Sequence, residues 1–204
     1  MTEAQLLIAT TNAGKAREIK TFLSSLPLKI VTLDQLRIKN SYIEEETSFL
    51  KNAGGKCLFY SRFWPHLTLA EDSGLEIKYL GGKPGVFSAR FSGPAATDAT
   101  NIQKVLQLMK GVPWHLRKAR FVSCLVLGQR QKILKEIMEE VEGYITLEKK
   151  GEGGFGYDPI FYYPPLKKTF AQLSPQEKNK VSHRGRSLIK LKDYLLIHLK
   201  SAKG

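Results

Sequence analysis

The chain has 204 residues, 42% of them hydrophobic and 10% aromatic, enough for a sizeable core and too apolar for a disordered segment. No apolar run reaches the ~18 residues that span a bilayer, and Met1-Thr2-Glu3-Ala4-Gln5 carries an acid where a secretory leader would carry bases, so a soluble, cytoplasmic protein without a membrane partner is expected. The formal net charge of +13, from 32 Lys and Arg against 19 Asp and Glu, calls for an anionic partner without choosing between nucleotide and nucleic acid.

Gln5 to Ala9 reads as a buried strand, Thr10 to Gly14 as a polar turn, and Lys15 to Leu26 as a helix whose Ile19, Phe22, Leu23 and Leu26 share one face. Leu28 to Leu33 is a second strand. After the acidic run Glu44-Glu45-Glu46, a helix is expected from its cap, Thr47, to Phe63, with Gly54-Gly55 marking close packing or a bend. Leu67 to Ala70 and Leu75 to Leu80 read as two strands, with Glu71-Asp72-Ser73-Gly74 as a turn between them and Gly81 to Gly85 as a loop. Thr97 to Lys110 is an amphipathic helix with Ile102, Val105, Leu106 and Met109 on one face, ended by Gly111 and Pro113. Ala119 to Leu127 is a strand. Lys132 to Ile145 carries Ile133, Ile137 and Val141 at helical spacing, but the short turn from Gly128 to Gln131 fits a hairpin, and a strand is predicted. Ser174-Pro175-Gln176-Glu177 is a capping box that opens a short helix, and Arg186 to Lys200 forms a terminal amphipathic helix whose lysines read as a solvated face. Cys57 and Cys124 lack metal or redox spacing and read as buried packing residues. Strand-helix alternation followed by a hairpin argues for a single α/β domain, residues 1–204, around a mixed sheet.

Four constellations carry chemistry. Thr10-Thr11-Asn12-Ala13-Gly14-Lys15, between a strand and a helix, has the small side chains, helix N-terminus and lysine of a phosphate cradle, although it is not a Walker A loop. Glu44 to Glu46 and Glu71-Asp72 supply carboxylates, and one acid from each cluster would suffice for Mg²⁺, which is held through one or two carboxylates plus substrate phosphates. Gly151 to Phe161 places four glycines around aromatics, so that the backbone can approach a flat ligand, Phe155 or Tyr157 can stack on it and Asp158 can accept a hydrogen bond. Glu177 to Arg184 contributes Lys178, His183 and Arg184 as donors. Together these are the parts of metal-assisted nucleotide hydrolysis.

In this order the four pieces resemble the inosine triphosphate pyrophosphatase family, the dITP/XTP pyrophosphatases. The likeness runs from Ala9 through Lys15, Glu71 to Leu75, Leu80 to Val86 and Gly151 to Phe161, and closes with Leu173 to Pro175 and Lys178 to Arg184. It implies an α/β fold with a long mixed β-sheet and flanking helices forming two lobes around a nucleotide-binding cleft, assembled as a homodimer. The implied reaction is Mg²⁺-dependent hydrolysis of ITP, dITP or XTP to monophosphate and pyrophosphate, which keeps these nucleotides out of DNA and RNA. By resemblance, Thr10, Thr11, Asn12, Ala13, Gly14 and Lys15 would hold the triphosphate; Glu44 and Asp72 would serve the metal; Asp72 would take the proton of the attacking water. Lys56 would face the phosphates, Ser73 would contact substrate, and Phe155, Gly156, Tyr157 and Asp158 would bind the nucleoside, with Phe155 against the base. Lys178, His183 and Arg184 would complete base and phosphate recognition. Two positions depart from the family pattern: Lys51 stands where Glu is common, and Thr11 where Gly is common. Two other readings fit parts of the sequence. One is a related pyrophosphatase of pyrimidine or modified triphosphates such as dTTP or UTP. The other is a basic nucleic-acid-binding module, which the lack of a basic stacking stripe disfavours, so no stable nucleic-acid partner is expected.

Overall fold

The computed structural model describes residues 4–44 and 47–201, for residues 200 and 201 without their side chains. Glu45 and Glu46 of the acidic run, the first three residues and Lys203 of the basic tail lie outside the described residues. The strands are β1 (Ala4–Ala9), β2 (Leu28–Thr32), β3 (Leu67–Ile77), β4 (Lys118–Gln129), β5 (Lys132–Ile145), β6 (Phe161–Tyr163) and β7 (Lys168–Thr169). The helices are α1 (Ala13–Leu23), α2 (Phe49–Tyr60), α3 (Asp98–Leu108), α4 (Pro175–Val181) and α5 (His183–Ser201).

Among the described residues the strands form a seven-stranded sheet in the order β2-β1-β3-β4-β5-β6-β7. It is mixed, because β1 runs parallel to β2 and β3 while β6 runs antiparallel to β5 and β7. The predicted hairpin is there: β4 and β5 are joined by Arg130 and Gln131, both at positive φ (48° and 60°), the combination that a two-residue turn needs to follow strand twist. The strand alternative for 132–145 therefore holds over its whole length.

The chain divides into two compact units, one made of 1–72, 123–139 and 184–204, the other of 73–122 and 140–183. In the first, Leu6 and Ile8 of β1, Leu67 and Leu69 of β3, and Leu125 and Leu127 of β4 pack with Ile19 and Leu23 of α1 and with Leu188, Leu191 and Leu195 of α5. The spacing of those α5 leucines is the helical period that buries a single stripe. In the second, Ile102, Val105 and Met109, all on the predicted face of α3, pack with Leu75, Ile77, Phe121, Val141, Phe161 and Phe170. Cys57 and Cys124 are buried free thiols in the first unit, as their apolar contexts suggest.

α1 runs from Ala13 to Leu23 rather than from Lys15 to Leu26, and three further elements differ from the sequence reading in ways that bear on the site. The cap of α2 is Ser48, one residue past Thr47, and Gly55 sits mid-helix because a Cβ there would overlap the Tyr42 hydroxyl. α5 begins at His183, three residues before the expected Arg186, which puts His183 and Arg184 in its first turn. The largest difference is β3, one strand from Leu67 to Ile77 rather than two strands about a turn. Glu71-Asp72-Ser73-Gly74 is extended backbone in its interior, and Glu71 and Asp72 are 1% and 4% exposed. Local pattern breaks the strand there because bare carboxylates cannot be buried; the fold keeps it intact by bringing partners to both acids.

Candidate active site

In the first unit, α1 follows β1 after three residues, and Asn12 caps it: the Asn12 side chain accepts from the Lys15 N–H at 2.9 Å, while Thr10 Oγ1 accepts from the Asn12 N–H at 3.2 Å. Side-chain capping satisfies one first-turn amide; the others have no intrahelical acceptor, and the dipole adds partial positive charge, a combination that binds phosphate. Thr11, Asn12 and Ala13 are exposed, and Thr10, Gly14 and Lys15 are half-buried. Desolvation lowers the pKa of the Lys15 ammonium; Glu71 and Asp72 raise it, and Arg184 and Lys56 lower it further.

Side chains alternate along β3, so Glu71 and Asp72 point to opposite faces of the sheet. Glu71 continues the Leu67 and Leu69 side and meets α5, where Arg184 Nε lies 2.9 Å from both carboxylate oxygens. Arg184 Nη1 also donates to Glu18 of α1 at 2.7 Å, and the Ser123 hydroxyl donates to Glu71 Oε1 at 3.1 Å. Burial opposes the Arg184 charge, yet Glu71 and Glu18 outweigh it and leave the guanidinium pKa above its ordinary value. Asp72 meets α2 instead, accepting from Asn52 Nδ2 at 3.1 Å. Its pKa is raised, chiefly by desolvation and also by Glu44, against the opposing pull of Lys15, Lys56 and the Asn52 hydrogen bond. Lys56, one turn beyond Asn52, donates to the Glu71 carbonyl at 3.1 Å and pairs with Glu44.

The predicted triphosphate loop, Lys56 and the predicted metal residues therefore lie in one unit, whose charged groups form one electrostatic cluster: Lys15, Lys56 and Arg184 among Glu18, Glu44, Glu71 and Asp72. Glu44 and Asp72 offer hard oxygen donors that repel each other. No group of three His, Cys, Asp or Glu side chains that could cage a metal occurs among the described residues. Two carboxylates with the remaining positions left to water and phosphate suit Mg²⁺. Glu18 and Asn52 were missed as site residues by sequence reasoning. The signal for Asn52 was its place one turn before Lys56; for Glu18 it was its place one turn after Lys15.

The second unit carries Ser73, half-buried next to Asp72 in β3, and the nucleoside residues. Asp158 Oδ2 accepts from the Phe155 N–H at 2.9 Å and from Lys178 Nζ at 2.5 Å, and Lys178 Nζ stands 4.8 Å from the centre of the Phe155 ring. Gly154, at φ +74°, is required there, because a Cβ would overlap Asp158 Oδ2. Gly156 donates its N–H to Asp98 Oδ2 at 2.6 Å. Tyr157 is 4% exposed in the core of its unit, and its hydroxyl donates to the Ser88 carbonyl at 2.8 Å. Of the two candidate platform rings, Phe155 is thus the half-buried one with surface to offer. His183 is buried, its ring stacked on Phe121 at 4.6 Å and 11°. The donor cluster is divided, Lys178 and His183 belonging to this unit and Arg184 to the first.

The family model described as the Ham1 family matches residues 6–194, nearly the whole chain. The protein is a member of the Ham1 family. A protein of Caldanaerobacter subterraneus subsp. tengcongensis named dITP/XTP pyrophosphatase is 41% identical over 198 residues, covering 96% of this chain and 98% of that protein. One of the same name from Dictyoglomus thermophilum is 44% identical over 200 residues, 97% of each chain. The solved structure of a HAM1 protein from Coxiella burnetii superposes with a TM-score of 0.84 at 36% identity, covering 95% of this chain and 98% of that one. The Staphylococcus aureus Ham1 protein gives 0.84 at 34% identity, covering 95% and 99%. The α/β fold of this Ham1 chain is thus that of solved relatives.

Proposed function

We propose that this Ham1 protein hydrolyses the non-standard purine nucleoside triphosphates ITP, dITP and XTP between the α and β phosphates, releasing monophosphate and pyrophosphate, and that residues 1–204 act as one catalytic domain. The observation that carries this reading is Asp72: a carboxylate 4% exposed in mid-strand, its pKa raised by burial, in the field of Lys15 and Lys56 and of a second acid, Glu44. The names of the relatives from Caldanaerobacter and Dictyoglomus support the substrate class.

The triphosphate is received by the first-turn amides of α1, the Thr10 to Asn12 loop and the Lys15 ammonium, with Lys56 adding positive charge as the P–O bond breaks. Glu44 and Asp72 would hold Mg²⁺, which when bound neutralises phosphate charge and polarises the reacting oxygens. Asp72 accepts the proton of the attacking water; a new P–O bond forms, and pyrophosphate leaves with the electrons of the old one. A raised pKa makes Asp72 a stronger base than an ordinary carboxylate. Asn52 donates to one of its oxygens at 3.1 Å and so orients the carboxylate. Phe155 stacks on the base, and Lys178 and His183 donate toward its O6; ATP carries an amine at that position, and a donor facing a donor leaves buried groups unpaired. Arg184 is assigned to holding Glu71 and Glu18 rather than to the base, because its Nε and Nη1 lie on those carboxylates.

The protein is further proposed to act as a cytoplasmic homodimer; no helix among the described residues is long and apolar enough to cross a membrane. The dimer is carried over from the family resemblance of the sequence. A panel of ITP, dITP, XTP, ATP, GTP, dTTP and UTP, with pyrophosphate detection and with and without Mg²⁺, tests the activity. Preference for dTTP or UTP, or release of orthophosphate, would overturn it. Light scattering at the monomer mass would remove the dimer.

A further inference from the structure

The base platform is a loop that cannot hold itself. Residues 151–156 read Gly-Glu-Gly-Gly-Phe-Gly, and Gly151, Gly154 and Gly156 all have positive φ (83°, 74° and 59°), conformations that glycine reaches easily and leaves as easily. Ordering such a segment is entropically costly, so its position must be set from outside. The Gly153 N–H donates to the Ala171 carbonyl at 3.0 Å and Asp158 takes the Phe155 N–H; two further hydrogen bonds hold the far end of the loop from one place, the first turn of α3 and the segment it clamps. Asp98 accepts from the Gly156 N–H at 2.6 Å, and Tyr157 donates to the Ser88 carbonyl at 2.8 Å. Asn101, one turn into α3, also donates to the Ser88 and Ala89 carbonyls, at 3.3 and 3.2 Å, and accepts from the Ser92 N–H at 2.8 Å, fixing the segment that carries the acceptor for Tyr157.

An acid at the first position of a helix ordinarily serves the helix dipole. Here that end is already capped: Thr97 and Thr100 form a reciprocal capping box, with Thr97 Oγ1 accepting from the Thr100 N–H at 3.2 Å. The Asp98 carboxylate therefore goes outward, to the backbone of a residue 58 positions away, in a charge-assisted bond of the strong kind. The Asp98 charge also reaches the Tyr157 phenol, whose pKa burial raises and Asp98 raises further, so both anchors of that end of the loop lie in one neighbourhood.

We infer that Asp98 is a positioning residue for base selection, a latch that fixes the Gly153 to Asp158 loop so that Phe155 presents its ring at one set height and angle. This inference rests on the reading of Phe155 as the base platform. Asp98 belongs to the second unit with the nucleoside residues, whereas the candidate phosphate-loop and metal residues belong to the first, so its loss should act on nucleoside binding and selectivity rather than on the chemical step. Asp98→Ala should raise KM for ITP about tenfold, the scale for losing a hydrogen bond to a charged group, with kcat within about twofold, and should lower the ITP-to-ATP ratio of kcat/KM. Asp98→Asn keeps an acceptor at the same place and should restore most of the KM and the ratio, which a loss of helix charge would not permit.

The experiment measures ITP and ATP kinetics for the wild type, Asp98→Ala and Asp98→Asn, with amide hydrogen exchange over residues 151–158 in the same three proteins. Faster exchange in that segment for the alanine variant, reversed in the asparagine variant and accompanied by the KM-selective loss, is the expected result. Unchanged exchange, or a fall in kcat at constant KM, would overturn the latch. Wild-type protein inert toward every purine triphosphate would overturn the functional reading and the selectivity role with it, and the exchange arm would still decide whether Asp98 holds the loop.

Discussion

Replacing Arg184 by Ala separates two roles for a residue that sequence alone assigns to the base. Arg184 is 3% exposed and Glu71 1% exposed; the guanidinium Nε is 2.9 Å from both Glu71 oxygens, and Nη1 is 2.7 Å from Glu18. Removing the cation takes from the buried carboxylate the charge-assisted bonds to both its oxygens, while the Ser123 hydroxyl of β4 still donates to Oε1 at 3.1 Å. Breaking a buried pair from one side costs roughly 3–5 kcal/mol, because the stranded charge keeps its desolvation penalty. That is a large share of the ~5–15 kcal/mol by which whole proteins are stable, and for a chain of this size it corresponds to a fall in Tm of about 6–20 °C.

The assay is urea unfolding followed by circular dichroism, for Arg184→Ala, Glu71→Gln and the double variant. Arg184→Lys is included because it keeps the charge but loses the two-oxygen geometry, and it should fall between wild type and alanine. Since Glu71→Gln removes the charge that Arg184→Ala strands, the double variant should lose clearly less than the sum of the singles. Arg184→Ala within ~1 kcal/mol of wild type, or additive singles, would refute the buried-pair argument and return Arg184 to the base.

Asp72→Asn should abolish turnover in a pyrophosphate assay while Tm stays level or rises, since the raised pKa means that the fold holds the ionised Asp72 at a cost that is absent below the unfolded pKa and present at neutral pH; near-normal turnover would remove Asp72 from the base role. Burial pushes the Cys57 thiol up to about 12 from an ordinary 9.0. The folded state therefore favours the protonated thiol, whose stabilisation is complete below pH 9 and is lost toward pH 12, at ~1.4 kcal/mol per unit within the window. Urea midpoints between pH 8 and 10.5 should fall more steeply for wild type than for Cys57→Ala, and parallel curves would contradict the assignment. Gly154→Ala forces a β-carbon into a left-handed position against Asp158 Oδ2, so it should weaken ITP binding by at least about tenfold and lower Tm by several degrees; unchanged KM would mean that Asp158 does not set the platform.

Most elements were legible because their signals are local. The Thr10 to Gly14 turn, the capping box opened by Ser174 and the turn before β5 all depend on residues close to one another in the chain. The continuity of β3 was not legible, because its condition is distant: the partners of Glu71 stand at Ser123 and Arg184, 52 and 113 positions away. A reading confined to Leu67 to Leu80 meets two unpaired acids and breaks the strand. The candidate site residues could be named from the sequence, but the partners each one meets could not. Composition alone does not separate Tyr157 from Phe155; the resemblance sets Phe155 against the base, and the Ser88 carbonyl, which takes the Tyr157 hydroxyl, marks the other ring as core.

The same continuity explains how two adjacent carboxylates come to have different work. Had the chain turned at Glu71-Asp72, both side chains could have converged on one cation and both would have been partly neutralised. In an extended strand they diverge to opposite faces, so Arg184 and Ser123 can hold Glu71 firmly while Asp72 is met by the neutral amide of Asn52. A neutral donor orients a carboxylate without lowering its basicity as far as a bound guanidinium would, and the direction of the Asp72 shift agrees, burial outweighing the nearby cations. The strong pair on one face stabilises the strand that carries the strained charge on the other. Loss of Glu71 should therefore cost stability first and activity through it, whereas loss of Asp72 should cost activity and leave stability intact.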